Sequence, residues 1–445
     1  MANDVKLNRR QFFGVGAGLG ATALLVACAQ SPKASNAPKR THVRSSPTTV
    51  QWWGGVPVTY GVTDTIDAFQ KIHPDINVKY TRFVNDATGN TKLDASLQGG
   101  SQIDVYISYA IPNMGQRVTN NLALDITSRV NKDSILGPWS NKTPGIFRRD
   151  GKIYSLPSVF DAQVLMVNQT MAQQAGWKIP AKWTIGEFTT DAHRLSRSGQ
   201  FGLLTTPDTA RIKLGGNYWY KDGGKKANFT NPAFGTDWQL HRTLIEQGAA
   251  LPWTTIVSEN LQLYQQNAFV NKQVALWPSG SWVSRYLKDP VNYPHDFVTT
   301  FAPMPLPNGN GKGYNPGAYD CWLMINPGSK VQDEAWEFVR FYLTKGAGHT
   351  LGSGKVPAVR GMVSDNDIVD GLLGPDKEKY FDVDAFKKVC LNYQDRLSID
   401  TIITASAEIA TVISAQTEKY LLGEQSLTAT VQAVQQQATS AIAKG

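Results

Sequence analysis

The sequence predicts an α/β protein built in two lobes. Short β-branched and aromatic runs alternate with helical patterns over residues 48–109, which favours a parallel sheet with crossover helices. A second series of strands and helices begins near residue 151, and 445 residues correspond to about two to four domains. Hydrophobic residues make up 41% and charged residues 18%, which excludes disordered, collagen-like and polytopic membrane chains.

The N-terminal residues are typical of an export signal. Arg9 and Arg10 precede an apolar, glycine-rich stretch over residues 12–27 that is short for a membrane span. The stretch resembles a twin-arginine signal peptide, so residues 1–27 are predicted to be a signal peptide, the alternative being a buried or membrane-anchoring helix. Leu25-Val26-Ala27-Cys28 resembles a lipobox, which implies lipidation of Cys28, unless it is an ordinary apolar cysteine. The Ser/Pro/Ala/Lys-rich residues 28–47 then form a flexible tether.

The first lobe is predicted to begin with three strands and two helices. Strands are expected at 48–53, 76–83 and 103–107, and helices at 63–73 and 92–97. Ligands of parallel sheets bind beyond the carboxyl ends of the strands, where Trp52, Trp53, Ser108 and Tyr109 lie. Because strand side chains alternate between faces, Trp52 and Trp53 should point in opposite directions, and we assign Trp53 to the ligand cleft.

The remaining part of the chain is predicted to contain both strands and helices. Two strand segments at 151–157 and 164–168 are joined by a polar, turn-prone link at 158–161, and another strand is expected at 320–325 after a loop at 303–313. Helical patterns cover 184–195, 237–247, 260–271, 331–342, 399–419 and 427–443.

Several classes of chemistry lack support in the sequence. The net charge of +8 is scattered without a basic stripe, so nucleic acid is not expected as a partner. The six histidines show no zinc-binding spacing, and neither a GxSxG nor a phosphate-loop motif occurs. We therefore predict no catalytic residue, metal or cofactor. Cationic residues do not cluster in the sequence, which argues mildly against phosphate-bearing ligands. Cys321 and Cys390 are expected to be free thiols, a disulfide being the alternative.

Five segments occur in an order that resembles a known family. They are residues 151–157 with 167–168, residues 175–177 with 182–188, residues 269–276 with 279–282, residues 304–307 with 333–341, and residues 356–358. Together they resemble the family 1 extracellular solute-binding proteins of ABC sugar importers, over residues 48 to 440. Gln273 and the polar residues 161–163 depart from the family pattern.

This resemblance implies a periplasmic-binding-protein fold, with a ligand cleft between two α/β lobes. The expected N-terminal lobe comprises residues 48–160 and 296–326, and the expected C-terminal lobe comprises 161–295 and 327–445. A carbohydrate, an oligosaccharide or disaccharide, would favour the closed form by contacting both lobes. The implied partners are the transmembrane subunits of an ABC permease and the membrane, through a lipid anchor on its outer face, and the protein is expected to be a monomer. A carbohydrate-active enzyme and a surface adhesin without a transport role remain alternatives.

The predicted ligand-binding residues are aromatic or hydrogen-bonding. Sugar rings stack on aromatic planes, which 12 Trp and 16 Tyr supply, and sugar hydroxyls bind well to carboxylates. The resemblance implies an acidic residue after the first crossover, which is Asp161, and a stacking platform at Trp282, where Ser281 would cap the following helix. The full predicted set is Trp53, Tyr109, Asp161, Asn217, Tyr218, Trp219, Trp282, Tyr319, Asp320 and Arg360. Core packing is the alternative for Trp282, a hinge or surface acid for Asp161, and an exposed salt bridge for Arg360.

Overall fold

The computed structural model of the chain describes residues 47–309, 312–392 and 396–444. The predicted signal peptide at 1–27, the predicted lipidation site Cys28 and all but the last residue of the predicted tether at 28–47 lie outside the described residues. Over the described ranges, no helix is both long and apolar enough to cross a membrane.

The strands of the described part are short, as expected for an α/β protein. They are β1 Thr48–Gly54, β2 Ile76–Arg82, β3 Val105–Ser108, β4 Leu156–Asp161, β5 Val164–Asn168, β6 Phe201–Leu203, β7 Tyr220–Lys221, β8 Lys226–Ala227, β9 Val274–Ser279, β10 Thr299–Ala302, β11 Tyr314–Asn315, β12 Ala318–Ile325 and β13 Arg396–Leu397.

The helices lie between these strands and after the last of them. They are α1 Val62–Ile72, α2 Ala87–Gln98, α3 Ala110–Thr119, α4 Thr127–Lys132, α5 Leu136–Lys142, α6 Gln169–Gln174, α7 Ile185–Leu195, α8 Thr209–Leu214, α9 Pro232–Glu246, α10 Trp253–Ser258, α11 Gln265–Val270, α12 Ser284–Leu287, α13 Gln332–Leu343, α14 Asp365–Leu373, α15 Lys377–Tyr380, α16 Val383–Phe386, α17 Ser406–Leu421 and α18 Leu427–Ile442.

The first sheet has five strands in the order β2-β1-β3-β12-β4. β1 is parallel to both β2 and β3, which confirms the predicted parallel sheet with crossover helices, and β12 is antiparallel to β3 and β4. Trp52 is 1% exposed and its ring contacts Phe338 and Tyr342 of α13 in the core behind this sheet. Helix α13 therefore belongs to the first lobe, because its apolar face covers the first sheet.

The second sheet has four strands in the order β10-β5-β9-β6. β5 pairs antiparallel with β10 and β9, and β6 is parallel to β9. A capping box between Thr184 and Glu187 starts α7, whose residue Phe188 is buried in the core beside this sheet. The α/β fold class with two sheets flanked by helices is therefore confirmed.

Two of the predicted lobe boundaries are wrong. Residues 296–326 were assigned to the first lobe, but β10 at its start pairs with β5 in the second sheet. Residues 327–445 were assigned to the second lobe, but α13 packs in the first core. The chain leaves the first sheet after Asp161, returns at Ala318 and leaves again after α13, since α14 packs in the second core.

Three local predictions also differ from the structure. Residues 158–161 were predicted to be a turn-prone link, but they complete β4, because they pair with β12. Of the helix predicted at 260–271, only α11 forms, since Asn260 has a φ of 54° and turns the chain. Helix α17 begins at Ser406 rather than 399, because the Asn217 side chain accepts the amide protons of Thr401 and Ile402.

Candidate functional site

Two cavities meet at the strands that connect the sheets. The first, of about 260 Å³, is named here the Trp219 cavity. It is lined by the start of α3, by the 316–320 segment, and by Asn217, Trp219, Tyr220, Asp400, Ile402 and Ser406. The second, of about 610 Å³, is named the Trp282 cavity. It lies at the carboxyl ends of β1, β2 and β3, and is closed from the other side by residues 262–264 and 282–286. This edge of a parallel sheet is where the sequence predicted a site.

Asp161 and Asp320 line both cavities. They end β4 and begin β12, neighbouring strands of the first sheet. The Ser281 amide donates to Asp161 Oδ1 at 3.1 Å, and the Ala110 amide donates to Asp320 Oδ1 at 2.8 Å. Burial, reinforced by the charge of Asp320, raises the pKa of Asp161 to about 7, and burial also raises the pKa of Asp320. Two acids are thus held at the junction of the cavities, each with a fixed amide donor.

Glycines allow the chain to approach Asp161 closely. A Cβ atom on Gly280 would lie 2.2 Å from Asp161 Oδ1, and one on Gly317 would lie 2.2 Å from the Asp161 carbonyl oxygen. A side chain at position 280 would displace the Asp161 carboxylate, and one at position 317 would clash with the backbone at the end of β4. Gly280 and Gly317 therefore set the position of this carboxylate.

A buried lysine lies beside the two acids. Lys355 is 7% exposed, lines the Trp282 cavity, and places its Nζ 2.9 Å from the Cys321 sulfur and 5.0 Å from the centre of the Tyr109 ring. The Tyr109 hydroxyl accepts the Gly55 amide proton at 2.6 Å, which fixes this ring at the cavity wall. Burial raises the pKa of the Cys321 thiol to about 12, so Lys355 faces a neutral thiol.

Trp282 forms the opposite wall of the Trp282 cavity. It is half-buried and makes edge contacts with Trp277 at 6.4 Å and Tyr286 at 6.1 Å between ring centres. The Arg285 guanidinium lies over both the Trp282 and Tyr286 rings, at 5.2 and 4.7 Å from their centres. The expected Ser281 cap is wrong, because the Ser281 hydroxyl donates to the Gly354 carbonyl instead.

Besides Asp161 and Asp320, three of the predicted residues line the Trp219 cavity. Trp219, Tyr319 and Asn217 line it, opposite α3. The Asn217 side chain is engaged with residues 401 and 402, so it holds the cavity wall in place. Arg211 also lines this cavity and forms a 2.7 Å ion pair with Asp400.

Three predicted site residues lie outside both cavities. Tyr218 is 9% exposed, stacks on Phe234 in a separate core, and donates its hydroxyl to Asp208 at 2.5 Å. Arg360 is exposed and pairs with Asp365 at 2.9 Å, which was the alternative for it. Trp53 points away from Trp52 as expected, but it packs against the first core and lines neither cavity. The structure does not bring these three predicted residues to the cavities, because strand alternation and loop position do not distinguish a cavity from an adjacent core.

The charged residues of the cavity walls other than Asp161 and Asp320 were not predicted from the sequence. Lys355, Arg285, Arg211 and Asp400 come from four distant segments. Lys355 directly precedes the Val356-Pro357-Ala358 turn, and Arg285 lies three residues after Trp282, so proximity to these segments was the available signal.

No group of three or more metal-ligating side chains occurs among residues 47–309, 312–392 and 396–444. Cys321 and Cys390 are both buried and unpaired, as predicted.

The comparisons with known proteins agree with this architecture. Residues 57–349 match the family model described as bacterial extracellular solute-binding protein. A search of curated proteins by sequence finds no match.

Similar solved structures share the fold at low sequence identity. A sugar transporter protein from Rhizobium etli in an open conformation is 20% identical with a TM-score of 0.69, covering 88% of this chain and 99% of its own. An ABC substrate-binding protein from Listeria monocytogenes in complex with cycloalternan is 17% identical with a TM-score of 0.72, covering 89% and 100%. The sugar-binding protein MalE from Xanthomonas citri is 21% identical with a TM-score of 0.67, covering 89% and 98%.

Proposed function

We propose that this chain, which belongs to the family of bacterial extracellular solute-binding proteins, captures a carbohydrate in its cleft and delivers it to an ABC permease. The similar proteins from Rhizobium etli, Listeria monocytogenes and Xanthomonas citri are described as a sugar transporter, an ABC substrate-binding protein and a sugar-binding protein. Members of the family are binding proteins rather than enzymes.

The observation that carries this proposal is the composition of the two cavities, which share Asp161 and Asp320 in their walls. Each cavity presents aromatic side chains beside the shared carboxylates Asp161 and Asp320: Trp219 and Tyr319 in one, Trp282 and Tyr109 in the other. Aromatic faces suit the C–H surfaces of a sugar ring, and carboxyl groups form hydrogen bonds with its hydroxyl groups whether they are ionised or protonated. A ligand that extends through both cavities would be at least a disaccharide in length.

Binding and closure are coupled in this proposal. Asp161 lies where the chain passes from the first sheet to the second, and it contacts Ser281 beyond β9 of the second sheet. A ligand bonded to Asp161 and to Trp282 touches both lobes, so it favours the arrangement in which both contacts exist. The permease would then recognise that arrangement.

Lipidation of Cys28 after cleavage of a twin-arginine signal peptide completes the proposal. The lipid would hold the folded part on the outer face of the cell membrane, as a monomer beside its permease. Mass spectrometry of the membrane-extracted protein should find a diacylglycerol group on Cys28, and a Cys28→Ala variant should be released from the membrane.

A thermal-shift screen over neutral and acidic mono- and oligosaccharides tests the proposed function. A ligand that binds the folded state alone raises the melting temperature by mass action. We expect at least one saccharide to raise it, and to give no product after incubation with the protein. A panel without any shift would contradict carbohydrate binding, and product formation would favour the alternative of a carbohydrate-active enzyme.

A further inference from the structure

Three cationic side chains face the Trp282 cavity without a carboxylate partner. Arg82, Arg285 and Lys355 all line it. Within the described part of the chain, none of the three forms an ion pair, although eleven other ion pairs occur there. The cationic residue of the Trp219 cavity, Arg211, is by contrast paired with Asp400. The two halves of the cleft therefore differ in their unpaired charge.

Arg285 is arranged to donate hydrogen bonds to a ligand. One terminal nitrogen donates to the Tyr286 hydroxyl at 2.8 Å, and the Nε atom is buried without a partner among the described residues. The guanidinium plane rests over the rings of Trp282 and Tyr286, which orients it without neutralising it. A buried donor without a partner is costly, and an acceptor on a ligand would remove that cost.

Lys355 places a second cation at the base of the same cavity. Its ammonium group contacts a neutral thiol and an aromatic face, neither of which carries a compensating charge. Arg82 lies at the exposed rim, at the end of β2, with its Nε 3.4 Å from the Gly55 carbonyl oxygen. The three cations therefore extend from the base of the cavity to its opening.

Asp161 and Asp320, at the junction of the cavities, neutralise less of this positive charge than two fully ionised carboxylates would. Asp161 and Asp320 both have a raised pKa, so they retain protons at a higher pH than ordinary carboxyl groups. Each already accepts a backbone amide proton, from Ser281 and Ala110 respectively.

We infer that the ligand is an acidic saccharide whose carboxylate or phosphate group binds in the Trp282 cavity, against Arg285, Lys355 and Arg82. This inference rests on the proposed carbohydrate binding and specifies the ligand class. Guanidinium groups bind both kinds of anion through paired hydrogen bonds, so uronic acids and sugar phosphates share the chemistry that this cavity recognises. The neutral rings of the same ligand would occupy the Trp219 cavity.

Matched probe pairs test the inference by titration calorimetry. The pairs are glucose with glucuronate, glucose with glucose 6-phosphate, and trigalacturonate with its fully methyl-esterified form. We expect at least one acidic member to bind ten times more tightly than its neutral partner, or more. The uronate and phosphate pairs distinguish the two sources of the anion.

Variants then locate the anion. Arg285→Gln and Lys355→Gln should each weaken binding of the acidic probe about tenfold more than binding of its neutral partner. Arg129→Gln removes a cation that is paired with Asp333 away from both cavities, and should leave every affinity within twofold. Because Lys355 is buried, its variant is first checked for folding by circular dichroism, and Arg285→Gln, at a half-buried position, carries the test if that variant unfolds.

The outcomes separate this inference from the proposed function. If neutral saccharides bind as tightly as the acidic ones, or if Arg285→Gln leaves the preference unchanged, the inference is wrong and carbohydrate binding stands. If no saccharide of either kind binds, both are wrong.

Discussion

Replacing Asp161 by Asn should change how the stability of the protein depends on pH. The carboxyl group of Asp161 lies between the two cavities, accepts the Ser281 amide proton, and faces Asp320 and Lys355. Asn has nearly the same shape, and its side-chain oxygen can still accept from Ser281. The substitution therefore removes the titration of this group with little change in packing.

The direction of the effect follows from the raised pKa. The pKa of Asp161 is about 7 in the folded protein against the ordinary 3.8, so between these values the folded protein holds a proton that the unfolded chain has released. The wild type therefore loses stability as the pH rises through this window, and the loss is complete above about pH 7. Asn at this position has no proton to lose.

The size of the effect is limited by solvent. A difference of one pH unit between the folded and unfolded pKa corresponds to about 1.4 kcal/mol. Because the carboxyl group lines two open cavities, we expect only part of the full difference, roughly 1–2 kcal/mol in favour of Asp161→Asn at alkaline pH. This advantage should disappear near pH 4.

Urea unfolding of both proteins, at several values between pH 4 and pH 8.5, measures the difference. Asp67→Asn is the matched control, because it removes an exposed carboxylate of α1 that water solvates in both states. The prediction concerns the pH dependence of the Asp161→Asn effect beyond that of this control. An Asp161→Asn effect that stays constant with pH, or that grows toward acid, would refute the reasoning.

Three further predictions concern other parts of the molecule. Trp282→Ala should weaken saccharide binding about ten- to a hundredfold in calorimetry, because it loses roughly 1–3 kcal/mol of aromatic contact. Trp52→Phe, in the first core, should lower stability and leave the affinity of the folded protein unchanged. The opposite pattern would make Trp282 a core residue. Burial lowers the pKa of His241 from 6.5 to about 4, so the wild type should lose roughly 2–3 kcal/mol of stability as the pH falls through that window. His241→Phe should abolish this loss in acid-unfolding curves. An acid transition that is the same in the variant and the wild type would contradict this prediction. A thiol titration of the non-reduced protein lacking residues 1–46 should detect no fast-reacting thiol before denaturation and two after it, from Cys321 and Cys390, and a count of zero after denaturation would reveal a disulfide.

The sequence alone was sufficient for the elements with strong local signals. β1, α1 and β2 follow from period-two and helical patterns with clear end residues, and the structure places them within a few residues of the predictions. Asp161, Asp320, Trp219 and Trp282 were predicted to bind ligand from their places near strand ends or glycines, and the structure brings all four to the cavity walls.

Predictions from local sequence patterns were wrong where contacts with distant residues determine the backbone conformation. The amide protons of Thr401 and Ile402 bond to the Asn217 side chain from the second lobe, so a helical pattern at 399–405 does not form a helix. Residues 158–161 were predicted to be a turn-prone link, but pairing with β12 makes them part of a strand. In both cases the deciding partner lies more than a hundred residues away, which no local period can register.

The sequence by itself determined the fold class, the order of most elements and the family. Only the tertiary structure decided which charges meet: Arg82, Arg285 and Lys355 are scattered along the chain and converge on one cavity, whereas Arg360, which a neighbouring motif favoured, points to the surface. Secondary structure depends on periods of two to four residues that a sequence displays directly. The charge of a cavity depends on which strand ends and loops come together when the sheets form, and this is a property of the topology rather than of any segment.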